Sequence, residues 1–375
     1  MPIAKSLGSA YRTFFLEPIE SKEQMQAFYV NRESPIEEIK ETIISSDKSK
    51  KLLLIGERGS GITTELNRLS MKLNEEGKIF TFTYNLGELL DLGAFDLSTF
   101  FTGLAIGIYE LSENGVEVEP KVKEGFEAFL IDLVGLTPAD DDMIKRSFKL
   151  PLSGRLRFEM NYRSRSKKSK TSDSLSEDES AQKIADLVAE IDRFIDAVEK
   201  GLNCRFILIL DDMDFILKEE DALDLFLRQS DLILKPSCSI IYAASTLLTS
   251  KRGFEMLKGR LDGVYTLLFP EDKKAFFKEV IYRRMDRKLI DYDAIEVLVD
   301  IAADLPLLIS TMRGVLKEAY HLHADRITLD LVRSYLNKLR EGKKGAESPL
   351  YRYTVEEDRK LFYYEDMDTY RETYL

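Results

Sequence analysis

The stretch Lys51–Leu73, KLLLIGERGSGITTELNRLSMKL, constrains this chain more than any other part of it. An apolar, strand-forming run (KLLLI) passes through three closely spaced glycines, Gly56, Gly59 and Gly61, directly into a segment with helical periodicity. Glycine tolerates the left-handed backbone that such a turn requires, so the chain can curl and aim successive N–H groups at one point. The N-terminus of the following helix adds its own unpaired amides and positive dipole end there, which makes the curl a site for an anion. The spacing matches the frame G-x-x-x-x-G-K-[ST] at every position but one. Gly56 and Gly61 supply the frame, and Glu57, Arg58, Gly59 and Ser60 fill the loop. Thr63 brings the hydroxyl that ligates Mg²⁺, Thr64 follows it, and Ile62 stands where a lysine is expected. The loop therefore predicts a cradle for ATP or ADP with Mg²⁺ that lacks one cation. Charge-assisted hydrogen bonds of the kind a lysine makes contribute about 1.5–3 kcal/mol, so turnover is expected near background while binding persists on the amides, Thr63 and the metal.

Around this loop the pattern alternates between short apolar runs and longer amphipathic ones. Lys51–Ile55, Ile79–Thr83, Phe206–Leu210, Ile240–Ala244 and Val264–Phe269 are nearly continuous in apolar, β-branched or aromatic residues, as strands of a parallel sheet buried on both faces should be. Glu65–Glu75, Ala181–Lys200 and Ala222–Leu234 carry helical spacing between them. The expected class is α/β, with a doubly wound, mainly parallel sheet of the P-loop NTPase kind in residues 51–270, behind an N-terminal segment at 1–50. Residues 86–180 read as an insertion on that sheet: two helices, a hairpin over Phe148–Tyr162, and a flexible basic and Ser-rich loop at about 163–180. After Pro270 the pattern is wholly helical, predicting a C-terminal lid over 271–340, with Pro306 near a helix start and Thr328 as an N-cap. An acidic, Tyr-rich tail at 341–375 is expected to pack back on the lid, docking to a partner being the alternative.

The run RFILILDDMD, Arg205–Asp214, ends a strand in paired acids. Downstream of a phosphate loop, Asp211 is placed to hold Mg²⁺ and Asp212 to orient or deprotonate the attacking water; a turn or N-cap is the alternative for such a pair. The glycine loop, this LILDDMD strand, the IIYAAST strand and the helical lid, in that order, resemble AAA+ and STAND ATPases, especially bacterial and archaeal ones with a DD-x-D motif. The upstream FYVNRESPIEEIKETI is similar to the F-x-G-R-x-x-E-[LI] segment of those families, with Asn31 in place of the usual glycine. The resemblance spans about residues 28–340 and matches poorly over 86–180. It implies that Phe28–Arg32 lies beside the adenine, with Arg32 in the site, and that Ser245 or Thr246 senses the γ-phosphate. It also implies that Arg260 is presented to a neighbour's nucleotide, an ordinary surface arginine being the competing account. Where the families' lid often reads G-x-P-R, this chain has DLPLL, so Leu307 takes the place of a sensing arginine. Arg313 is a substitute candidate, and Arg283 and Arg284 are further alternatives, a surface position being the expected account of both.

The resemblance implies a homo-oligomeric conformational switch or regulator, possible roles including defence against phage, and with no nuclease, protease or sensor repeat evident its output is expected to belong to a separate effector partner. A pseudo-ATPase scaffold and a DNA-handling loader are the alternatives. A net charge of −12 argues against broad binding of nucleic acid. Against that stands Arg155–Lys170, RLRFEMNYRSRSKKSK, which is either a solvated loop or a contact for nucleic acid or an acidic partner. No apolar run approaches the roughly 20 residues needed to span a bilayer, so no membrane role and a cytoplasmic location are expected. Cys204 and Cys238 are expected as buried free thiols, and His321 and His323 as helix-end or loop residues without catalytic duty.

Overall fold

A computed structural model describes residues 3–57, 59–85, 97–135, 177–211 and 230–341, with residues 152, 156 and 227. The chain divides into two compact units, residues 33–268 and residues 1–32 with 269–375. In chain order the elements are α1 (Leu7–Thr13), α2 (Lys22–Phe28), α3 (Ile36–Ile44), β1 (Lys51–Gly56), α4 (Ile62–Asn74) and β2 (Ile79–Asn85). Then come α5 (Leu97–Glu113), α6 (Pro120–Val134), α7 (Glu177–Leu202), β3 (Arg205–Asp211), α8 (Ser230–Ile233), β4 (Ser239–Ser245), α9 (Phe254–Lys258) and β5 (Gly263–Leu267). Four helices follow: α10 (Lys273–Arg284), α11 (Tyr292–Ile301), α12 (Leu305–His321) and α13 (Leu329–Glu341).

The unit 33–268 is an α/β domain whose five strands are all parallel, in the order β2-β3-β4-β1-β5. Each strand forms where an apolar run was expected, within two residues at either end. Because successive side chains alternate in direction, a strand buried on both faces must be apolar at every position. β1 does this by sending Leu52 and Leu54 to one face and Leu53 and Ile55 to the other. On the first face Ile36, Ile39 and Ile43 of α3 and Leu66, Leu69 and Leu73 of α4 close the core. On the second, α5, α6 and α7 pack over Phe206, Leu208, Ile240 and Tyr242. Helix α7 buries Ile184, Leu187, Val188, Ile191, Phe194, Ile195 and Val198, the three-and-four spacing of one helical face. Its Phe194 stacks on Phe126 of α6 with ring centroids 4.3 Å apart. Gly107 of α5 sits against the Tyr84 ring of β2, where a Cβ would lie 2.4 Å from the nearest ring carbon.

At the opposite end of the strands, Lys51 is buried and its ammonium donates to the carbonyls of Pro236, at 2.6 Å, and of Cys238. Its backbone N–H donates to Asp262 at 2.7 Å, so the starts of β1, β4 and β5 are tied together. Burial lowers the Lys51 pKa and pushes the Cys238 thiol up to about 12. Cys204, expected to be buried, is only half-buried, because it lies in the turn just before β3 rather than in the strand.

In the other unit, α1 and α2 are each closed by a capping box, from Ser6 with Ser9 and from Ser21 with Gln24. Asp304 caps α12, in whose first turn Pro306 sits, and the Thr328 hydroxyl accepts from Leu331 N at 3.3 Å at the start of α13. Residues 3–14 share one apolar core with α10–α13, through Ala4, Leu7, Ala10 and Phe14. His321 ends α12 and His323 follows it with a left-handed φ of 51°. The expected hairpin over Phe148–Tyr162, most of Ala222–Leu234, the basic segment and the tail after 341 lie outside the described residues. Among the described residues no helix is long and apolar enough to cross a membrane.

Phe194→Ala removes a fully buried ring from the α5–α6–α7 core. It should cost about 3–5 kcal/mol of unfolding free energy in urea titration; a loss under 1 kcal/mol would show that this core is not as closely packed as described.

Candidate nucleotide site

Strand order decides where a ligand can enter this sheet. The chain leaves β1, runs to β2 at the far edge, and returns through β3 and β4 to lie beside β1 again. Loops leaving the C-terminal ends of β1 and its neighbour depart in opposite directions, and in open α/β sheets the crevice between them is where ligands bind. At that crevice the last residue of β1, Gly56, pairs with the last residue of β4, Ser245. In the next strand β3 ends at Asp211, which is buried and pairs with Asn85 of β2.

The loop between β1 and α4 has the curl that its glycines anticipate. Gly59 (φ 72°) and Gly61 (φ 89°, ψ 33°) are left-handed, and Gly61 is the N-cap of α4. Ser60 N donates to Glu57 O at 3.0 Å, tightening the turn, and Glu65 N donates to Gly61 O at 3.1 Å to start the helix. Ile62, Thr63 and Thr64 are the first three residues of α4, positions whose N–H groups have no intrahelical acceptor. This geometry fits a phosphate: two left-handed glycines lead into the positive, amide-rich end of a 13-residue helix. It also fits Mg²⁺, since Thr63 stands in that first turn and Asp211 ends the second strand along. Ser60 is buried and Glu57 exposed.

Ile62 does more than leave a gap. A Cβ on Gly56 would lie 2.7 Å from both Cγ1 and Cδ1 of Ile62 and 3.1 Å from Ser60 Oγ, so the isoleucine covers the Gly56 backbone. It also packs against the α3–α4 core. The position that would carry the phosphate-gripping cation is thus apolar and turned into the domain.

One residue here was not singled out from the sequence. Glu65 is fully buried in the first turn of α4, where it accepts from Ser34 Oγ at 2.8 Å and pairs with Arg68 at 3.1 Å. Arg68 also reaches Glu37 at 3.5 Å, and Lys72 meets the same carboxylate at 2.6 Å. A glutamate in a first helical turn is ordinarily a solvated complement to the helix dipole, so its burial had no local signal.

The remaining expected site residues are dispersed. Thr246 opens a short 3-10 turn, Thr246–Ser250, immediately after β4. Arg260 is 36% exposed and donates to Ser230 Oγ at 2.6 Å and Asp231 at 2.8 Å, so it is held by its own unit. Arg58 and Asp212 lie outside the described residues. Arg32, Leu307 and Arg313 belong to the other unit. There Arg32 lies over the Phe276 ring at 5.8 Å, and Leu307 is buried. Arg313 donates to Phe14 O at 3.1 Å and to Tyr11 Oη at 3.3 Å. Arg283 pairs with Glu279 at 3.3 Å on the surface, but Arg284, also expected at the surface, is buried. The face of α10 that carries Ile281 and Phe277 turns Arg284 inward with them. No group of three or more His, Cys, Asp or Glu among the described residues could hold a metal ion on its own.

No protein-family model and no curated protein matches the chain. Among solved structures it is similar to the Aeropyrum pernix ORC1 protein in complex with DNA, at 14% identity over 85% of this chain and 68% of that one, with a TM-score of 0.46. It is likewise similar to the Aeropyrum pernix ORC2 protein in ADPNP–ADP complexes, at 11% identity over 87% and 71%, TM-score 0.47. A third is a Walker-type ATPase of Pyrococcus abyssi, at 14% identity over 96% and 80%, TM-score 0.46.

Gly56→Ala places a methyl group against Ile62. It should lower stability by about 1–3 kcal/mol, the usual cost of overpacking. Ile62→Ala in the same chain should recover part of that loss; equal losses in both backgrounds would remove the contact from the account.

Proposed function

We propose that this chain binds an adenine nucleotide with Mg²⁺ at Gly56–Thr64 and works as an AAA+/STAND-like conformational switch that turns over little or no ATP. The observation that supports it best is the left-handed Gly59–Gly61 curl opening α4 at the C-terminal edge of a parallel sheet, with Ser245 and Asp211 at the ends of the next strands. The loop amides would hold the phosphates, and Thr63 with Asp211 the metal. Bound Mg²⁺ would neutralise phosphate charge and fix phosphate geometry. Arg32 would lie on the base side, with Thr246 or Ser245 at the γ-phosphate and Asp212 at the water, as the resemblance implies.

A switch needs only a difference in affinity between two arrangements, not hydrolysis. Moving a population from one per cent to ninety-nine takes roughly a 10⁴-fold difference. A missing lysine lowers the total affinity without abolishing such a difference. The readout would pass through self-association to a separate effector, antiviral defence being one setting for such a regulator. The DNA-handling reading stands second, because the basic segment that would carry it, Arg155–Lys170, belongs to a chain of net charge −12.

Calorimetry with Mg²⁺ should give binding of ATP and ADP with affinities within about tenfold of each other, since the cation that favours the γ-phosphate is absent. Ile62→Lys should raise both ATP affinity and turnover. No heat and no thermal shift at millimolar nucleotide would leave only an interaction scaffold.

Arg260→Ala should weaken ATP-promoted self-association in light scattering while leaving the thermal midpoint within a few degrees, because its ion pair with Asp231 is open to solvent. Equal assembly of both proteins would make Arg260 a local structural cation only.

A further inference from the structure

The outer face of α6 is built against its own helix. Its exposed residues Lys121, Gly125, Ala128 and Asp132 recur every three or four positions and so form one stripe along the axis. Glycine in the middle of a helix weakens it, because glycine gives up more backbone freedom there than any other residue. At two other helical glycines of this domain the fold supplies a reason: a Cβ at Gly107 would strike the Tyr84 ring, and one at Gly201 the Glu117 carbonyl. At Gly125 a Cβ would meet nothing within 4 Å. The charges on the stripe also oppose the helix dipole. Lys121 stands in the first turn, at the positive end, and Asp132 in the last turn, at the negative end; the first turn has no acid and the last no base. Neither side chain has an ion pair or a hydrogen bond among the described residues.

Both anomalies disappear when a second copy of the helix lies antiparallel against the first, about a two-fold axis midway between Gly125 and Ala128. Lys121 and Asp132 are equally far from that midpoint, about 8 Å along the axis on either side, so each Lys121 comes level with the other copy's Asp132. Each lysine then also lies beside the negative end of the facing helix, and each aspartate beside its positive end. Gly125 comes level with the other copy's Ala128, and two residues without bulk at the crossing let the axes approach to about 8 Å, the short end of the usual range. The same register finds an apolar seat. Beside the stripe, and sharing Lys121 and Gly125 with it, is a groove of about 260 Å³ lined by Val122, Phe126 and Phe129 of α6 and Phe194 of α7. Phe129 is half-buried, and the two-fold brings the other copy's Phe129 level with the Val122 end of this groove, on the same side of the crossing. Across the groove Arg193 and Glu190 of α7 pair at 2.7 Å, so that side adds no net charge.

We propose that α6 is an isologous contact surface for a second copy of this chain, held by two reciprocal Lys121–Asp132 pairs over a Gly125–Ala128 crossing. The contact needs no nucleotide, so it does not rest on the reading of the glycine loop. It also differs from the assembly proposed for Arg260 in that like surfaces meet and the contact closes at two copies. One helix pair with a shallow groove on each side belongs to the small class of interfaces, so the dimer is weak, with a dissociation constant on the order of 10–100 µM.

Sedimentation velocity of the full chain without nucleotide, up to hundreds of micromolar, tests this with Lys121→Asp, Asp132→Lys, the double variant and Gly125→Gln. Either charge reversal turns both pairs into repulsions and should weaken the dimer roughly tenfold or more. The double variant exchanges the two signs and should recover most of that loss. So should an equimolar mixture of the two single variants, since one then carries two acids on its stripe and the other two bases. Gly125→Gln should abolish the dimer while raising the thermal midpoint of dilute protein, because glutamine favours a helix where glycine does not. Wild type that stays monomeric throughout overturns the proposal, as does dimerisation unaffected by the reversals or by Gly125→Gln. A mixture no tighter than the single variants overturns the antiparallel two-fold on which it stands.

Discussion

Everything about the candidate site depends on β1 being buried on both faces. A strand in that position has no solvent along its length, so its first polar opportunity is its end, and there the chain must turn at once to keep α4 packed on the sheet. Gly56 is that end. It pairs with Ser245 on the β4 side and Leu267 on the β5 side, and the Ile62 side chain lies against its α-carbon. A side chain at 56 would have to displace Ile62, and the loop that follows turns left-handed at Gly59 and Gly61. The candidate anion site thus lies where a central parallel strand is closed off.

The sheet was legible because its strands obey one simple rule, apolar at every position, and the glycine loop because its residues have few other reasons to occur in that spacing. Strand order was not read from the sequence, because five apolar runs of similar make-up do not say which pairs with which. What could not be read were facts that depend on which side a helix turns. Arg284 and Glu65 look like surface charges in sequence, each in a run of polar neighbours, and both are buried because of tertiary partners distant in the chain. Ser34 is 31 residues from Glu65, and Phe28 is 256 from Arg284. Cys204 failed in the opposite sense: it flanks an apolar run and was expected to be buried, but it sits just outside the strand and is half-buried.

Ile62 changes the energetic character of the loop in a way a missing charge alone would not. A lysine at the start of α4 has to be kept solvated or paired while the loop is empty. Isoleucine instead adds its methyl groups to the core formed by Ile36, Ile39, Leu52 and Leu66, where each buried methylene contributes about 0.8 kcal/mol. An empty loop built this way is stabilised by its own residue at the position that otherwise waits for a ligand. Part of what the ligand contacts would contribute in a lysine-bearing loop is here already present without ligand, which reduces how far occupancy can stabilise the domain.

Glu65 sharpens the same point. It is a carboxylate in the first turn of the helix whose N-terminus would face phosphate, and two negative groups so near each other repel in a medium of low effective dielectric. Arg68 and, beyond it, Glu37 and Lys72 spread that charge across α3 and α4. Within this chain of pairs the net charge is zero, two carboxylates against two cations, so the loop helix keeps its dipole without a local excess of negative charge. The same carboxylate holds Ser34. Neutralising Glu65 to favour an anion would therefore weaken its hold on Ser34, and the sequence cannot optimise phosphate affinity and that contact independently.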